Sequence, residues 1–298
     1  MVAEESVIEK TKNPSKVKDY VALLKLRLAF LVVLSALSGY LFMGGGFNFN
    51  LFLLIAGGFF ITGASNGANQ IIEKEVDKKM NRTRNRPLPT GRMSVNEAAI
   101  ASAIFGITGA ILLFQINYYT GILGLLAFVL YVFIYTPLKR ITPWAVFVGA
   151  FPGAIPPMLG VLAVTGTFEG EAGLIAGLLF FVQFIWQFPH FWAIAWVLNE
   201  DYARGGFALL PSKTGKSKKS AFHIVLYSLF LIPVSLTPWV LGLTSDITLV
   251  IGTIAGTWFF LEAFKLFSTL DDKRAKRLMF ASFIYLPLIQ FLYVFDKI

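Results

Sequence analysis

Residues 28–72 read LAFLVVLSALSGYLFMGGGFNFNLFLLIAGGFFITGASNGANQII, 45 positions without an Asp, Glu, Lys or Arg, and this run decides the fold. A helix that crosses a bilayer needs about 20 apolar residues, so the run is too long for one span and long enough for two. It breaks at Met43-Gly44-Gly45-Gly46, where consecutive glycines remove the helical preference. A second run, 98–138, holds 41 such positions and breaks near Asn117-Tyr118-Tyr119-Thr120-Gly121. Five more runs, 141–168, 172–199, 220–245, 247–261 and 278–295, each accommodate one span. The expectation is an all-α polytopic membrane protein with nine transmembrane helices near 24–43, 51–72, 97–115, 121–138, 144–165, 172–198, 221–241, 247–267 and 278–295. It forms a single membrane-embedded domain over 1–298, with 1–20 as a cytoplasmic tail.

Composition agrees. The 298 residues are 56% hydrophobic and 14% charged, against about 25% charged in a soluble domain. A soluble single domain, a nucleic-acid binder and a disordered chain are excluded. Cysteine is absent, which removes disulfides, thiolate metal sites and a Cys nucleophile. With two histidines there is no His-rich metal cluster, so a metal here would be a hard cation on oxygen ligands. The tail carries both signs of charge and no apolar core, unlike a signal peptide, so the first span directs insertion.

Of the 26 Lys and Arg, 25 fall in the tail or in the loops on one side of this topology, and Lys297 alone is misplaced. The positive-inside rule then puts the N-terminus in the cytoplasm and the C-terminus outside, in a multi-pass protein of the cell membrane. Loops 73–96 and 199–220 are long and rich in both charges, whereas the outer loops are short. The chemistry is expected on the cytoplasmic face.

After the second span comes Asn69-Gln-Ile-Ile-Glu73-Lys-Glu-Val-Asp77, followed by Asn81-Arg82-Thr-Arg84-Asn85-Arg86. On a continuing helix Asn69, Glu73 and Asp77 recur every four residues and share a face. Stacked carboxylates repel, but they suit Mg²⁺, which takes carboxylate and phosphate oxygens together. The basic residues just downstream would hold the remaining phosphate charge. After the sixth span Asn199-Glu200-Asp201-Tyr202-Ala-Arg204 repeats the order of acids, then Arg, then Leu-Pro. Two such segments four spans apart emerge on one face and read as an internal duplication with a pocket between the halves. Other motifs fail. Gly215-Lys216-Ser217 lacks the upstream Gly of a phosphate loop. Asp271-Asp272 reads as solvated ion pairing, Glu262 and Lys265 as an i, i+3 ion pair, and Gly63 and Gly67 as a close helix approach.

These segments, together with Lys25-Leu-Arg27-Leu, Asn81 to Pro89, Tyr135-Thr-Pro-Leu-Lys139-Arg140-Ile-Thr142, Gly149 to Pro157, Trp186-Gln187-Phe-Pro189-His190-Phe191-Trp192 and Ala281 to Pro287, resemble the UbiA-type intramembrane prenyltransferases over nearly the whole chain. The acidic column marks the superfamily. The segment from Trp186 to Tyr202 resembles its haem-modifying branch. The resemblance implies a UbiA-like prenyltransferase bundle with a central cavity open to the cytoplasm. It implies Mg²⁺-dependent transfer of farnesyl from farnesyl diphosphate to a vinyl group of haem B, giving haem O and diphosphate. On this resemblance Asn69, Glu73, Asp77 and Asp201, with Glu200 helping, hold the metal and serve catalysis, and Arg82, Arg86, Lys139, Arg140 and Arg204 bind diphosphate. Trp186, Gln187, His190 and Tyr202 meet the haem, and association with a haem A synthase or terminal-oxidase assembly is implied.

Two departures stand out. Glu73 replaces the usual Asp, and Val197 stands where an Asp usually precedes Asp201 by four, so the second segment's ligation rests on Asp201. His190 keeps two readings, a packed histidine in the turn loosened by Pro189, or an iron ligand or proton acceptor at membrane depth. The rival readings are a prenyltransferase with an aromatic or quinone-precursor acceptor, and a non-catalytic transporter or haem-binding protein.

Overall fold

The computed structural model describes residues 15–212 and 214–298. The first 14 residues of the expected tail, and Lys213 of the basic loop, lie outside the described residues. Regular structure among the described residues is helical apart from one bridge between Thr244 and Lys297.

Helices α1 (Lys16–Leu24) and α2 (Leu26–Phe42) meet at a bend of 42° and together are long and apolar enough for one span. After α3 (Phe49–Ile72) and the short α4 (Lys74–Asp77) come α5 (Val95–Ile116) and α6 (Tyr118–Val129). A π-helical turn, Leu130–Tyr135, carries α6 into α7 (Thr136–Leu138). Then follow α8 (Ala145–Thr165), α9 (Gly170–Val197), α10 (Asn199–Gly205), α11 (Lys218–Ser235), α12 (Thr237–Val240), α13 (Asp246–Thr269) and α14 (Asp272–Phe295). Among the described residues eight helices are long and apolar enough to cross a membrane, nine when the bent pair is counted as one span. The breaks in the two long runs are capped: Asn48 accepts the Leu51 N–H and Asn117 accepts the Thr120 N–H, satisfying donors that open a helix.

Four helices make an inner ring, in which α2 packs on α8, α8 on α9, α9 on α14 and α14 on α2. Helices α3, α5 and α6 flank the ring on one side, α11 and α13 on the other. Glycine sets the closest crossings. A Cβ at Gly39 would run into the Pro157 carbonyl, and one at Gly160 into the Ala36 carbonyl, so α2 and α8 touch backbone to backbone. Gly63 and Gly67 likewise bring α3 against Phe105 and Ser102 of α5, as their spacing suggested.

A chain of polar side chains links the four helices of the ring across its interior. Ser35 donates to Gln290 Oε1 at 3.1 Å, Gln290 donates to Gln183 Oε1 at 2.7 Å, and Gln183 donates to the Gly153 carbonyl at 2.6 Å. The last bond has a covalent cause. Pro157 lacks the N–H that Gly153 would receive in an unbroken helix, and in hydrocarbon that carbonyl would otherwise go unsatisfied.

Candidate active site

At the end of α3 the helical trace steps once. Glu73 sits between α3 and α4, yet its N–H still reaches the Asn69 carbonyl at 3.0 Å and its carbonyl takes the Asp77 N–H at 2.7 Å. The four-residue spacing therefore survives, and Asn69, Glu73 and Asp77 line one cavity of ≈ 330 Å³. All three are buried. Asn69 is oriented by its neighbours. Thr136 gives its hydrogen to the Tyr131 carbonyl at 2.8 Å, so it accepts from Asn69 Nδ2 at 3.1 Å, leaving the amide oxygen toward Lys25 Nζ at 3.4 Å.

Basic groups outnumber acids in this space. Lys139 pairs with Glu73 at 2.6 Å and Arg86 with Asp77 at 2.7 Å, while Lys25 and Arg82 line the same cavity with no carboxylate in ion-pair range among the described residues. Burial pushes the Lys139 ammonium below its ordinary range, with Glu73 opposing the shift. Four cations against two carboxylates leave positive charge for an anionic ligand. The walls are aromatic. Tyr131 and Tyr135 from the π turn, and Tyr202 and Phe207 after α9, line it, and Lys139 Nζ lies over the Tyr135 and Phe207 rings at 4.9 and 5.5 Å. Pro137 cannot continue the α-type ladder to Phe133, and the π register carries the chain past that gap.

The donor set fits a hard divalent cation. Asp77 Oδ1 is buried and has no hydrogen-bond partner among the described residues, although Oδ2 is held by Arg86. Two carboxylates and an amide oxygen leave positions for phosphate oxygens and water, which is how Mg²⁺ is usually held. Among the described residues no three His, Cys, Asp or Glu side chains converge into a closed metal set.

The second segment arrives beside the first. Asp201 accepts the backbone N–H of Asn81 at 2.7 Å and of Arg82 at 3.1 Å, and pairs with Arg204 at 2.7 Å. Burial works against its ionisation, but these hydrogen bonds outweigh it and hold the carboxyl below the usual carboxylate range. Tyr202, Phe207 and Leu209 line the cavity, whereas Asp201 and Arg204 are absent from its lining and hold the loop that carries Arg82. Glu200 and Arg140 are exposed, and of the two acids Glu200 and Asp201 only Asp201 bonds to Arg204 and to the backbone at Asn81 and Arg82. Trp186, Gln187 and His190 lie on α9 outside this lining, with Gln187 donating to the Ala150 carbonyl at 2.9 Å.

In the sequence Lys25 carries no sign of a role beyond its place in Lys25-Leu-Arg27-Leu, yet it lines the cavity. Its backbone is left-handed, φ 48° and ψ 55°, a conformation that costs an L residue energy and turns its side chain at the α1–α2 bend. A lysine two residues before Arg27, just ahead of a charge-free run, reads as a topology signal. Of the remaining motifs, Glu262 and Lys265 do pair, at 2.6 Å, Asp271 caps α14, and Asp272 holds Lys216 at 2.7 Å.

A sequence model of the UbiA prenyltransferase family matches residues 32–286. The protoheme IX farnesyltransferase of Cytophaga hutchinsonii is 46% identical over 95% of this chain and 99% of its own length. That of Flavobacterium psychrophilum is 48% identical over 94% of each chain. A UbiA homologue from Archaeoglobus fulgidus, solved with GPP and Mg²⁺ bound, superposes with a TM-score of 0.70 at 16% identity, covering 93% of this chain and 99% of that one.

Proposed function

Since the chain belongs to the UbiA prenyltransferase family, we propose that it transfers farnesyl from farnesyl diphosphate to a vinyl group of haem B, giving haem O and diphosphate. The observation that carries this reading is the cavity at the end of α3. There a surplus of cations surrounds two carboxylates and an amide oxygen, with Asp77 Oδ1 still open. The relatives at 46% and 48% identity supply the acceptor.

Ionising the allylic C–O bond leaves its electron pair on diphosphate, and that developing charge is the main obstacle. Arg82, Arg86, Lys139 and Lys25 receive it, with Asn69 fixed by Thr136 to present its oxygen. Mg²⁺ held by Asn69, Glu73 and Asp77 would add positive charge at the leaving oxygens. Asp201 serves by holding the backbone at Asn81 and Arg82, and so aims Arg82, with Arg204 paired to it from the same helix; Glu200, exposed beside it, would lend a further carboxylate to the metal. Arg140 adds positive charge at the mouth. Tyr131, Tyr135, Tyr202 and Phe207 exclude water and face the allylic cation with their rings. The vinyl π electrons then form the new C–C bond, the positive charge moves beside the porphyrin, and water adds there as hydroxyl and loses a proton. His190, Trp186 and Gln187 belong to the acceptor side.

The protein acts as one membrane-embedded unit of the cell membrane, N-terminus in the cytoplasm, and passes its product to a haem A synthase or terminal-oxidase assembly. A transporter needs a path through the ring, where Ser35, Gln290 and Gln183 bond across the interior. The test is purified protein with labelled farnesyl diphosphate, Mg²⁺ and either haem B or 4-hydroxybenzoate. Labelled haem O is the expected product; label on the benzoate alone would reassign the acceptor, and no transfer to either would refute catalysis.

A further inference from the structure

Ser282 on α14 faces His190 on α9, with Oγ 2.6 Å from Nδ1. The same Oγ donates to the Met279 carbonyl at 2.6 Å. A serine hydroxyl has one hydrogen. With that hydrogen on Met279, the contact to His190 is made by Nδ1–H donating, so the neutral ring carries its lone pair on Nε2. The Ser282 carbonyl also accepts the Trp186 indole N–H at 3.1 Å, and the indole lies on the imidazole with centroids 4.3 Å apart and planes 18° from parallel. Phe191 and Phe283 stand edge-on to the ring. The imidazole is thus fixed in position, tilt and tautomer by a single neighbour and what that neighbour holds.

Its place in the fold is equally specific. His190 follows Gln183 by seven residues on α9 and shares its stripe. Because Gln183 bonds across the ring's interior, His190 stands in that interior about 10 Å nearer the cytoplasmic end of α9. Among the described residues no carboxylate hydrogen bonds or pairs with it. An imidazolium would therefore sit among aromatic rings without a counter-ion. A neutral imidazole whose Nδ1–H is held by a protein acceptor is the arrangement in which Nε2 serves a metal.

We propose that Ser282 is a positioning residue, which locks His190 in the Nδ1–H tautomer and thereby presents Nε2 as an axial ligand to the iron of the haem acceptor. This rests on the haem-acceptor reading above.

The full chain in detergent, titrated with haem B, tests it by the Soret band and by the iron–histidine stretch of the ferrous form. His190→Gly should lose the ligand-dependent band, and added imidazole should restore it. Ser282→Ala should still bind haem with the iron–histidine stretch shifted, because Nδ1–H has lost its acceptor, and Ser282→Thr, which keeps the hydroxyl, should return it. Binding of a farnesyl diphosphate analogue with Mg²⁺, unchanged across the set, identifies folded variants. If the wild-type chain binds no haem, the acceptor reading itself falls. A wild-type spectrum in His190→Gly removes the ligand role and with it the proposal. Dependence on His190 with an iron–histidine stretch indifferent to Ser282→Ala overturns the positioning role alone.

Discussion

Asp77 divides its two oxygens: Oδ2 is held by Arg86 at 2.7 Å and Oδ1 is left open. Asp77→Asn keeps the shape and removes the charge, so folded protein should persist while transfer falls on the order of a hundredfold, about 3 kcal/mol of lost transition-state stabilisation. Turnover with labelled farnesyl diphosphate reads this, and chelation by EDTA should abolish turnover until Mg²⁺ is restored. Lys25 offers a sharper separation. Its left-handed backbone costs about 1 kcal/mol or more for a non-glycine residue. Lys25→Gly should therefore raise or preserve thermal stability while weakening farnesyl diphosphate binding about tenfold, the worth of one charge-assisted hydrogen bond. A fall in both together would assign Lys25 to packing instead. The acidic column was legible in the sequence because oxygen side chains every fourth residue at the end of a span have few other uses. Lys25 was not, since a backbone dihedral leaves no mark on residue identity. The contact of Asp201 with Asn81 and Arg82 joins residues too far apart in the chain for spacing to reveal.

Among elements, the hydrogen-bonded chain from α2 through α14 and α9 to α8 is the least replaceable feature. Gln183→Leu would strand both the Gly153 carbonyl and the Gln290 amide in hydrocarbon. An orphaned buried partner costs about 1–3 kcal/mol, so the melting temperature in detergent should drop clearly. Ser35→Ala, which leaves Gln290 bonded to Gln183, should cost less. Equal effects from the two would mean that the chain does not close on Gly153. Pro152, Pro156 and Pro157 were visible as a motif, but which carbonyl they free and which side chain answers it depends on the crossing of α8 and α9. The π turn was hidden for a related reason: Leu130–Tyr135 has ordinary helical composition, and its extra residue per turn shows only in the backbone.

At the scale of the molecule, span count was the most legible property, because the bilayer acts on every residue and leaves a pattern that needs no tertiary contact to read; the one-sided placement of the basic residues predicts the orientation in the same way. The cation-rich cavity gives that pattern a functional meaning, since the diphosphate it suits is confined to water and must arrive from the face where the cavity opens. The absence of cysteine makes the orientation directly measurable. Asn85→Cys and Lys219→Cys place single thiols at exposed positions of the two long basic loops, and Glu169→Cys places one in a short loop on the opposite side. None of the three original side chains makes an ion pair among the described residues, so folding should be little disturbed. In intact cells a membrane-impermeant maleimide should label Glu169→Cys only, and in inverted vesicles it should label Asn85→Cys and Lys219→Cys only. The reversed pattern would move the cavity to the outer face and cut it off from cytoplasmic farnesyl diphosphate. Labelling of Asn85→Cys and Lys219→Cys from opposite sides would be incompatible with the shared cavity itself, because Asp201 ties the two segments together through Asn81 and Arg82.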